Sequence, residues 1–197
     1  MRRLTVLAAG ALAAVPVVDS LAAQQTQFGG VVGYSVAAAE NNTIAGAGRA
    51  GLHLRGFVDV PLSPSALSFR GELFYNYLSS GTNTYRVVGS ETVPAARSDR
   101  TLGITGSFVA TLMSRAAISP TFSLGAGLFK SSLTYEPDPM GEGSTRRLGS
   151  IGPGVLLGAG LRIRTGGPTL LIDWRYYQGL HATRGSPFMP LSIGVAF

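Results

Sequence analysis

Residues 67–78 read LSFRGELFYNYL, and in them apolar or aromatic side chains alternate with polar ones. A period of two indicates a β-strand with one apolar and one polar face, because successive side chains point to opposite sides of a strand. An amphipathic helix would instead repeat its apolar residues every three or four positions. The apolar face holds Leu67, Phe69, Leu73, Tyr75 and Tyr77, and the polar face holds Ser68, Arg70, Glu72 and Asn76.

The same alternation recurs in seven other segments, which makes eight predicted strands. Short turns alternate with longer polar loops between them, as in an antiparallel up-and-down sheet whose ends both lie on the short-turn side. The predicted strands are 27–37, 49–60, 67–78, 100–112, 119–133, 150–164, 169–179 and 190–197. The short connections are 61–66, 113–118 and 165–168, and the long ones are 38–48, 79–99, 134–149 and 180–189.

The polar face is rich in Gly, Ser, Thr and Ala and contains few charges, which suits a narrow filled interior better than a surface covered by water. Aromatic residues stand near both ends of several predicted strands, as in the two girdles of a membrane barrel. Examples are Phe28 with Tyr34, Phe69 with Tyr75 and Tyr77, Phe122 with Tyr135, and Trp174 with Tyr176. We therefore predict an all-β fold, an eight-stranded antiparallel up-and-down transmembrane β-barrel. The alternative is a soluble lipocalin-like barrel with its apolar face inward.

Composition excludes several classes of protein. Only 13% of the 197 residues are charged, against about 25% in an average soluble domain. The sequence contains no cysteine, which excludes disulfide scaffolds, thiolate metal sites and cysteine nucleophiles. The formal charge of +6 comes from 15 Arg and one Lys against 10 acidic residues, and the basic residues are scattered, so we expect no nucleic-acid partner.

An export signal occupies the N-terminus. Arg2 and Arg3 precede an apolar run over residues 4–18, and Ser20 and Ala22 place small residues where a signal peptidase reads them. We predict a signal peptide over residues 1–22 and a mature domain over residues 23–197. No later apolar run is long enough for a transmembrane helix.

The last predicted strand ends in Phe197 and has apolar residues two, four and six positions earlier. With the signal peptide and the eight alternating segments, this resembles the small outer-membrane β-barrel family of OmpA/OmpX type. The resemblance implies a bacterial outer-membrane protein with periplasmic termini, delivered by periplasmic chaperones and recognised by the barrel-assembly machinery. The residues implied in that recognition are Leu191, Ile193, Val195 and Phe197.

Charged residues on the inward parity must pair inside so narrow a barrel. Glu72 and Asp173 are the expected anions near the middle, and which arginine pairs with which is left open by the sequence. We expect an ionic plug with little or no conductance, any residual pathway favouring anions. The eight residues on this parity are Arg55, Asp59, Arg70, Glu72, Arg162, Arg164, Asp173 and Arg175.

The interpretation that follows is a non-enzymatic, monomeric surface protein with no cofactor and no metal, which acts through its loops. Loop 79–99 is the longest, and its residues 85–88 either form a strand extension that offers an edge to a partner or merely cover the barrel mouth. Membrane lipid and lipopolysaccharide are the other expected partners. Arg97, Arg100, Arg146 and Arg147 stand at strand tops, where guanidinium groups are suited to lipopolysaccharide phosphates.

Catalysis is the competing hypothesis, because some eight-stranded outer-membrane barrels deacylate or acylate lipid A. His181-Ala182-Thr183 partly resembles the His-x-Ser pair of the deacylases, with Thr in place of Ser. No acidic residue follows Asp173 to orient the imidazole, so we expect His181 to be a loop residue. His53, on the inward parity, is expected to be a hydrogen-bonded interior residue.

Overall fold

The structure, a computed structural model, describes residues 26–38, 49–62, 66–79, 85–88, 91–137, 146–180 and 187–197. The signal peptide predicted over residues 1–22 lies outside these ranges. Within them, no helix is sufficiently long and apolar to span a membrane.

The described chain folds into antiparallel strands joined in sequence order. Each pairs with the next along the chain, except β3, which pairs with β5 and not with the short β4. The strands are β1 (Gln27–Ala37), β2 (Ala50–Pro61), β3 (Leu67–Ser79), β4 (Tyr85–Val88), β5 (Glu91–Thr111), β6 (Ile118–Pro137), β7 (Arg146–Arg164), β8 (Thr169–Gly179) and β9 (Phe188–Ala196).

Pairing of β1 with β9 closes the sheet into a barrel of eight strands, with β4 attached outside it through β5 alone. The predicted eight-stranded antiparallel up-and-down barrel is confirmed. Closure satisfies the backbone hydrogen bonds of every barrel strand on both edges, which a sheet inside a bilayer requires because lipid offers no hydrogen-bonding groups.

The stagger of the barrel follows from its pairing. If paired residues are followed from strand to strand around the barrel, the path starts on β1 at Gln27 and returns to β1 at Ala37. This offset of ten residues is the shear of the barrel. Eight strands with this stagger tilt by about 40° to the barrel axis and enclose a space only wide enough for side chains. The path runs through Asp59, Arg70, Ser107, Gly125, Leu156, Tyr177 and Phe188.

The two rims of the barrel differ. The strand ends that the short connections join, Pro61 with Leu67, Thr111 with Ile118 and Arg164 with Thr169, all lie at one rim, which we name the short-turn rim. The first and last described strands also meet there, since the backbone N–H groups of Phe28 and Phe197 each donate to the other residue's carbonyl at 3.1 and 2.8 Å. The opposite end is the long-loop rim, where β5, β6 and β7 extend beyond the predicted segments that began or ended at residues 100, 133 and 150.

The outer face of the barrel is apolar. Leu124, Ile193 and Ile104 are more than 60% exposed, whereas the polar residues of the opposite parity are buried inside. The soluble lipocalin-like alternative is therefore wrong, because it requires the reverse arrangement. Outward apolar residues span Leu102 to Leu112, along β5 and the residue just after it, and Ile118 to Leu128 on β6. Ten residues of tilted strand rise about 26 Å, which matches the roughly 25 Å apolar band of outer-membrane barrels.

Glycines on the inward face make room for large side chains from the neighbouring strand. A Cβ atom at Gly158 would collide with the stem of Arg175, and one at Gly160 would collide with the carboxylate of Asp173. Gly71 faces outward, and a Cβ atom there meets nothing within 4 Å. The small residues of β7 are therefore a packing requirement of the charged side chains on β8.

This difference predicts opposite outcomes for two substitutions of the same kind. Gly160→Val should lower the free energy of unfolding by about 1–3 kcal/mol, because it overpacks the interior beside Asp173. Gly71→Val should be neutral or stabilising, because its side chain projects into open space on a strand. Urea unfolding of the barrel in lipid vesicles measures both, and equal losses for the two variants would show that the assignment of faces is wrong.

Candidate functional site

Seven inward-facing charged side chains form one group in the middle of the barrel, which we name the ionic cluster. Alternation along β2, β3, β7 and β8 turns these residues inward, and the register of the sheet brings them to neighbouring heights. Six of them are buried, and Arg162 is only partly exposed. The cluster consists of Arg55, Asp59, Arg70, Glu72, Arg162, Asp173 and Arg175.

Glu72 is the centre of the upper part of the cluster, and its side chain has no solvent exposure. Arg175 Nη1 donates to both of its carboxylate oxygens, at 2.8 and 2.9 Å. Arg55 Nη1 lies 3.6 Å from Oε1, and the Thr105 hydroxyl donates to Oε2 at 3.0 Å. One carboxylate is thus held by strands β2, β5 and β8, in addition to its own strand β3.

Asp59 and Asp173 hold the remaining arginines. Arg70 forms a bidentate pair with Asp59, at 2.6 and 2.7 Å, and Arg162 also donates to Asp59. Asp173 accepts from Arg55 and lies 3.5 Å from Arg175 and 3.8 Å from Arg70. Each acid therefore neutralises more than one arginine, which makes the cluster a connected network in place of separate pairs.

The cluster contains four arginines and three acids, so one positive charge is in excess. The ring of Phe57 lies against this excess, with the Arg70 guanidinium 4.2 Å and the Arg55 guanidinium 6.0 Å from its centroid. A cation over an aromatic face is stabilised most where water is excluded. Arg164 shares the inward parity but is exposed at the end of β7. The expectation that Arg164 belongs to the interior set is corrected, because parity defines a face and not a depth.

An apolar layer lies above the ionic cluster, on the side of the long-loop rim. The ring of Tyr177 lies 4.7 Å from that of Phe74 and 4.9 Å from that of Phe188, and Phe74 meets Phe129 edge-on at 5.3 Å. This layer, which we name the aromatic layer, was missed by sequence reasoning. The signal available in the sequence was that large apolar residues occupy some of the inward positions that are otherwise polar. Its members are His53, Phe74, Leu78, Phe129, Leu156, Tyr177 and Phe188.

Of the two histidines in the sequence, the structure describes His53 but not His181, the histidine of the catalytic hypothesis. His53 is fully buried in the aromatic layer, where its Nδ1 lies 3.3 Å from Asn76 Oδ1. This environment agrees with the expectation that His53 is a hydrogen-bonded residue of the interior. His181 and Thr183 lie outside the described residues. In the part of the chain that the structure describes, no three His, Cys, Asp or Glu side chains come together as metal ligands would.

The residues proposed to contact lipopolysaccharide or the assembly machinery lie at the barrel surface where they can be described. Arg100 is exposed and stacks 5.8 Å from the ring centroid of Tyr77, whereas the side chains of Arg97, Arg146 and Arg147 lie outside the described residues. Of the C-terminal residues, Leu191, Ile193 and Phe197 are exposed on the apolar outer face, and Val195 is half-buried.

A buried ion pair that sequence reasoning did not propose stands at the long-loop rim. Arg49, just before β2, pairs with Asp99 on β5. Both side chains are buried, at 1% and 8% exposure. The sequence pattern places Asp99 in a loop, but β5 begins earlier than predicted and turns this carboxylate into the barrel.

A closed eight-stranded barrel, apolar outside and ionic within, defines a transmembrane β-barrel of the outer-membrane type. Solved structures agree with this class. Neisserial surface protein A is 14% identical, over 87% of this chain and 95% of that chain, with a TM-score of 0.54. Ail, the attachment invasion locus protein of Yersinia pestis, is 15% identical, over 88% and 100%, with a TM-score of 0.50.

A major outer membrane protein from Thermus thermophilus is 13% identical to this chain, over 88% of it and 99% of that chain, with a TM-score of 0.54. At such identities the likeness concerns the fold. No protein-family profile and no curated protein matches the sequence. The predicted resemblance to small eight-stranded outer-membrane barrels is confirmed at the level of the fold.

The contacts of Glu72 predict a large effect of removing its carboxylate. Glu72→Ala should lower the free energy of unfolding by about 3–5 kcal/mol, because it leaves Arg175 and Arg55 buried with one anion fewer. Urea unfolding in lipid vesicles measures the loss. Arg164→Gln is the matched control and should change stability by less than about 0.5 kcal/mol, because Arg164 is exposed.

A double-mutant cycle tests whether the loss belongs to the pair. Glu72→Leu combined with Arg175→Leu should be less destabilising than the sum of the single variants, by about 1–3 kcal/mol. Strict additivity of the two losses, or a Glu72→Ala variant as stable as the wild type, would contradict the pairing described above.

Proposed function

We propose that this chain is a non-enzymatic outer-membrane protein, with periplasmic termini, that acts at the cell surface through its long loops. The barrel is then a rigid frame and not a channel. The observation that carries the proposal is the double filling of the barrel, with the ionic cluster below and the aromatic layer above. A filled interior leaves the outer face and the long-loop rim as the places where a partner can bind.

The absence of a catalytic assembly among the described side chains supports the non-enzymatic reading. His53 is sealed among aromatic rings, and each carboxylate of the ionic cluster is occupied by arginine. A lipid-modifying site needs a nucleophile and a base that face the membrane or the rim. The described outer face is apolar apart from a few aromatic, amide, hydroxyl and basic side chains.

The filled interior predicts that the barrel does not conduct. Wild-type protein reconstituted into planar bilayers should give no single-channel steps, because both layers block the lumen. Combining Phe74→Ala with Arg175→Ala opens one position in each layer and serves as the positive control. Any conductance of that variant should select little between anions and cations, because three arginines and three acids then remain in the ionic cluster. Steps from the wild type, with amplitudes like those of the variant, would contradict the plugged barrel.

The long-loop rim carries a strand extension suited to contact. β5 begins at Glu91, although its pairing with β3 begins only at Ser98, and its first residues pair with β4 over residues 85–88. Among the described strands, β4 has a neighbour on one side only. An unpaired strand edge can bind another chain by adding a strand to the sheet.

Replacing residues 85–94 by an Asn-Gly turn tests the surface role. The barrel should still assemble, because β5 pairs with β6 from Ala95 and with β3 from Ser98. Fractionation should recover both proteins from the outer membrane, and unboiled samples should migrate differently from boiled ones on a gel. Cells displaying the wild type should adhere to surfaces more than cells without it, and cells displaying the shortened protein should lose that gain. Equal adherence by both would assign the hairpin to covering the barrel mouth, and recovery in the soluble periplasm would overturn the proposed location.

A further inference from the structure

Charge is almost absent from the outer face of the barrel. Along the described strands, alternation turns outward a set of apolar, aromatic, small and hydroxyl-bearing side chains. Among the outward-facing side chains that the structure describes, only two are charged, Arg100 on β5 and Lys130 on β6, and both are exposed. Lys130 is also the only lysine in the sequence. Two isolated charges of the same sign on neighbouring strands call for a physical reason.

The register of the sheet places these two cations together. Arg100 pairs with Ser132, and Lys130 pairs with Leu102, so the cations are diagonal neighbours on one face of the β5–β6 ladder. Diagonal neighbours have their Cα atoms about 7–8 Å apart, within reach of long side chains. On the opposite side of β5, Arg100 pairs with Tyr77 of β3. The guanidinium carbon of Arg100 lies 5.8 Å from the centroid of the Tyr77 ring.

Arg100 and Lys130 lie at the edge of the outer apolar band, on the side of the long-loop rim. Leu102 on β5 and Leu128 on β6 are the last outward apolar residues before the cations, toward the long-loop rim. The band below them rises about 26 Å, which is the thickness that the bilayer's apolar region requires. A cation on the lipid face costs about 2–4 kcal/mol at the bilayer midplane but almost nothing at the interface. Arg100 and Lys130 therefore lie at the level of lipid headgroups.

No described carboxylate of the chain pairs with either cation. Asp99, the neighbour of Arg100 in sequence, faces the interior and pairs with Arg49. The other acids whose side chains the structure describes belong to the ionic cluster. Two cations that repel each other, fixed on adjacent rigid strands, are stabilised by an anion that bridges them. In this position the available anions are those of the lipid headgroups.

We propose that Arg100 and Lys130 form a binding site for the phosphate of a phosphorylated glycolipid in the outer leaflet. This inference rests on the outer-membrane location proposed above, since that location places the long-loop rim in the outer leaflet. The guanidinium donates two N–H groups to phosphate oxygens, and the ammonium group supplies a second charge. The Tyr77 ring holds the guanidinium against the barrel wall. Of the four strand-top arginines named from the sequence, Arg100 thus acts with Lys130, which sequence reasoning did not propose.

The test compares variants of the whole protein purified in detergent from the cell envelope. Binding of diphosphorylated, monophosphorylated and phosphate-free forms of one glycolipid is measured by native mass spectrometry. Arg100→Gln combined with Lys130→Gln should weaken binding of the phosphorylated forms by about tenfold or more, because charge-assisted hydrogen bonds are lost. Binding of the phosphate-free form should not change. The control combines Arg115→Gln with Arg164→Gln, which removes two exposed cations from the opposite rim.

The outcomes distinguish the alternatives. Altered gel mobility on boiling confirms that each variant is folded before binding is measured. Equal affinity of wild type, variant and control for the phosphorylated lipid would overturn the site, while leaving the proposed location intact. Complete displacement of the lipid by millimolar inorganic phosphate would also overturn the lipid assignment, because it would indicate a site for the free ion. Recovery of the protein outside the outer membrane would instead refute the proposed function on which the inference rests.

Discussion

The hydrogen bonds between β1 and β9 are the contacts on which the rest of the structure depends. An open sheet edge inside a bilayer would leave a row of N–H and C=O groups without partners, at several kcal/mol for each group. Closure with eight strands and a shear of ten determines the tilt and the radius together. The interior that results admits side chains but no column of water, so every inward residue must find its partner within the barrel.

That constraint explains why the interior combines charge with glycine. Arginine is long and needs space along its stem, and the glycines of β7 provide this space beside Arg175 and Asp173. The acids are shared among several arginines, which neutralises most of the charge in a region of low dielectric constant. A slip of one residue in any strand would turn these charges toward the lipid, so the network also selects the register.

Alternation in the sequence predicted the number of barrel strands, the two faces and all seven members of the ionic cluster, because side-chain parity is a local property. It did not predict the pairs, which depend on the shear and join residues as distant as Glu72 and Arg175. The same limit explains Arg164, which has the correct parity but the wrong depth. Phe74 and Phe188 have inward parity too, but their contact exists only once β3 and β9 face each other across the closed barrel.

The positions of the charged side chains indicate which parts of the barrel contact lipid. A charged side chain of a membrane barrel is tolerated inside with a partner, in a turn or loop at a rim, or at the headgroup boundary. The described charges follow this rule, since the interior ones are paired and Arg115 and Arg164 are exposed at the short-turn rim. Arg100 and Lys130 take the third position, and we assign their partner to the membrane because no acidic side chain that the structure describes shares their face. The arginines inside have acidic partners within the fold, whereas the cations outside depend on the lipid.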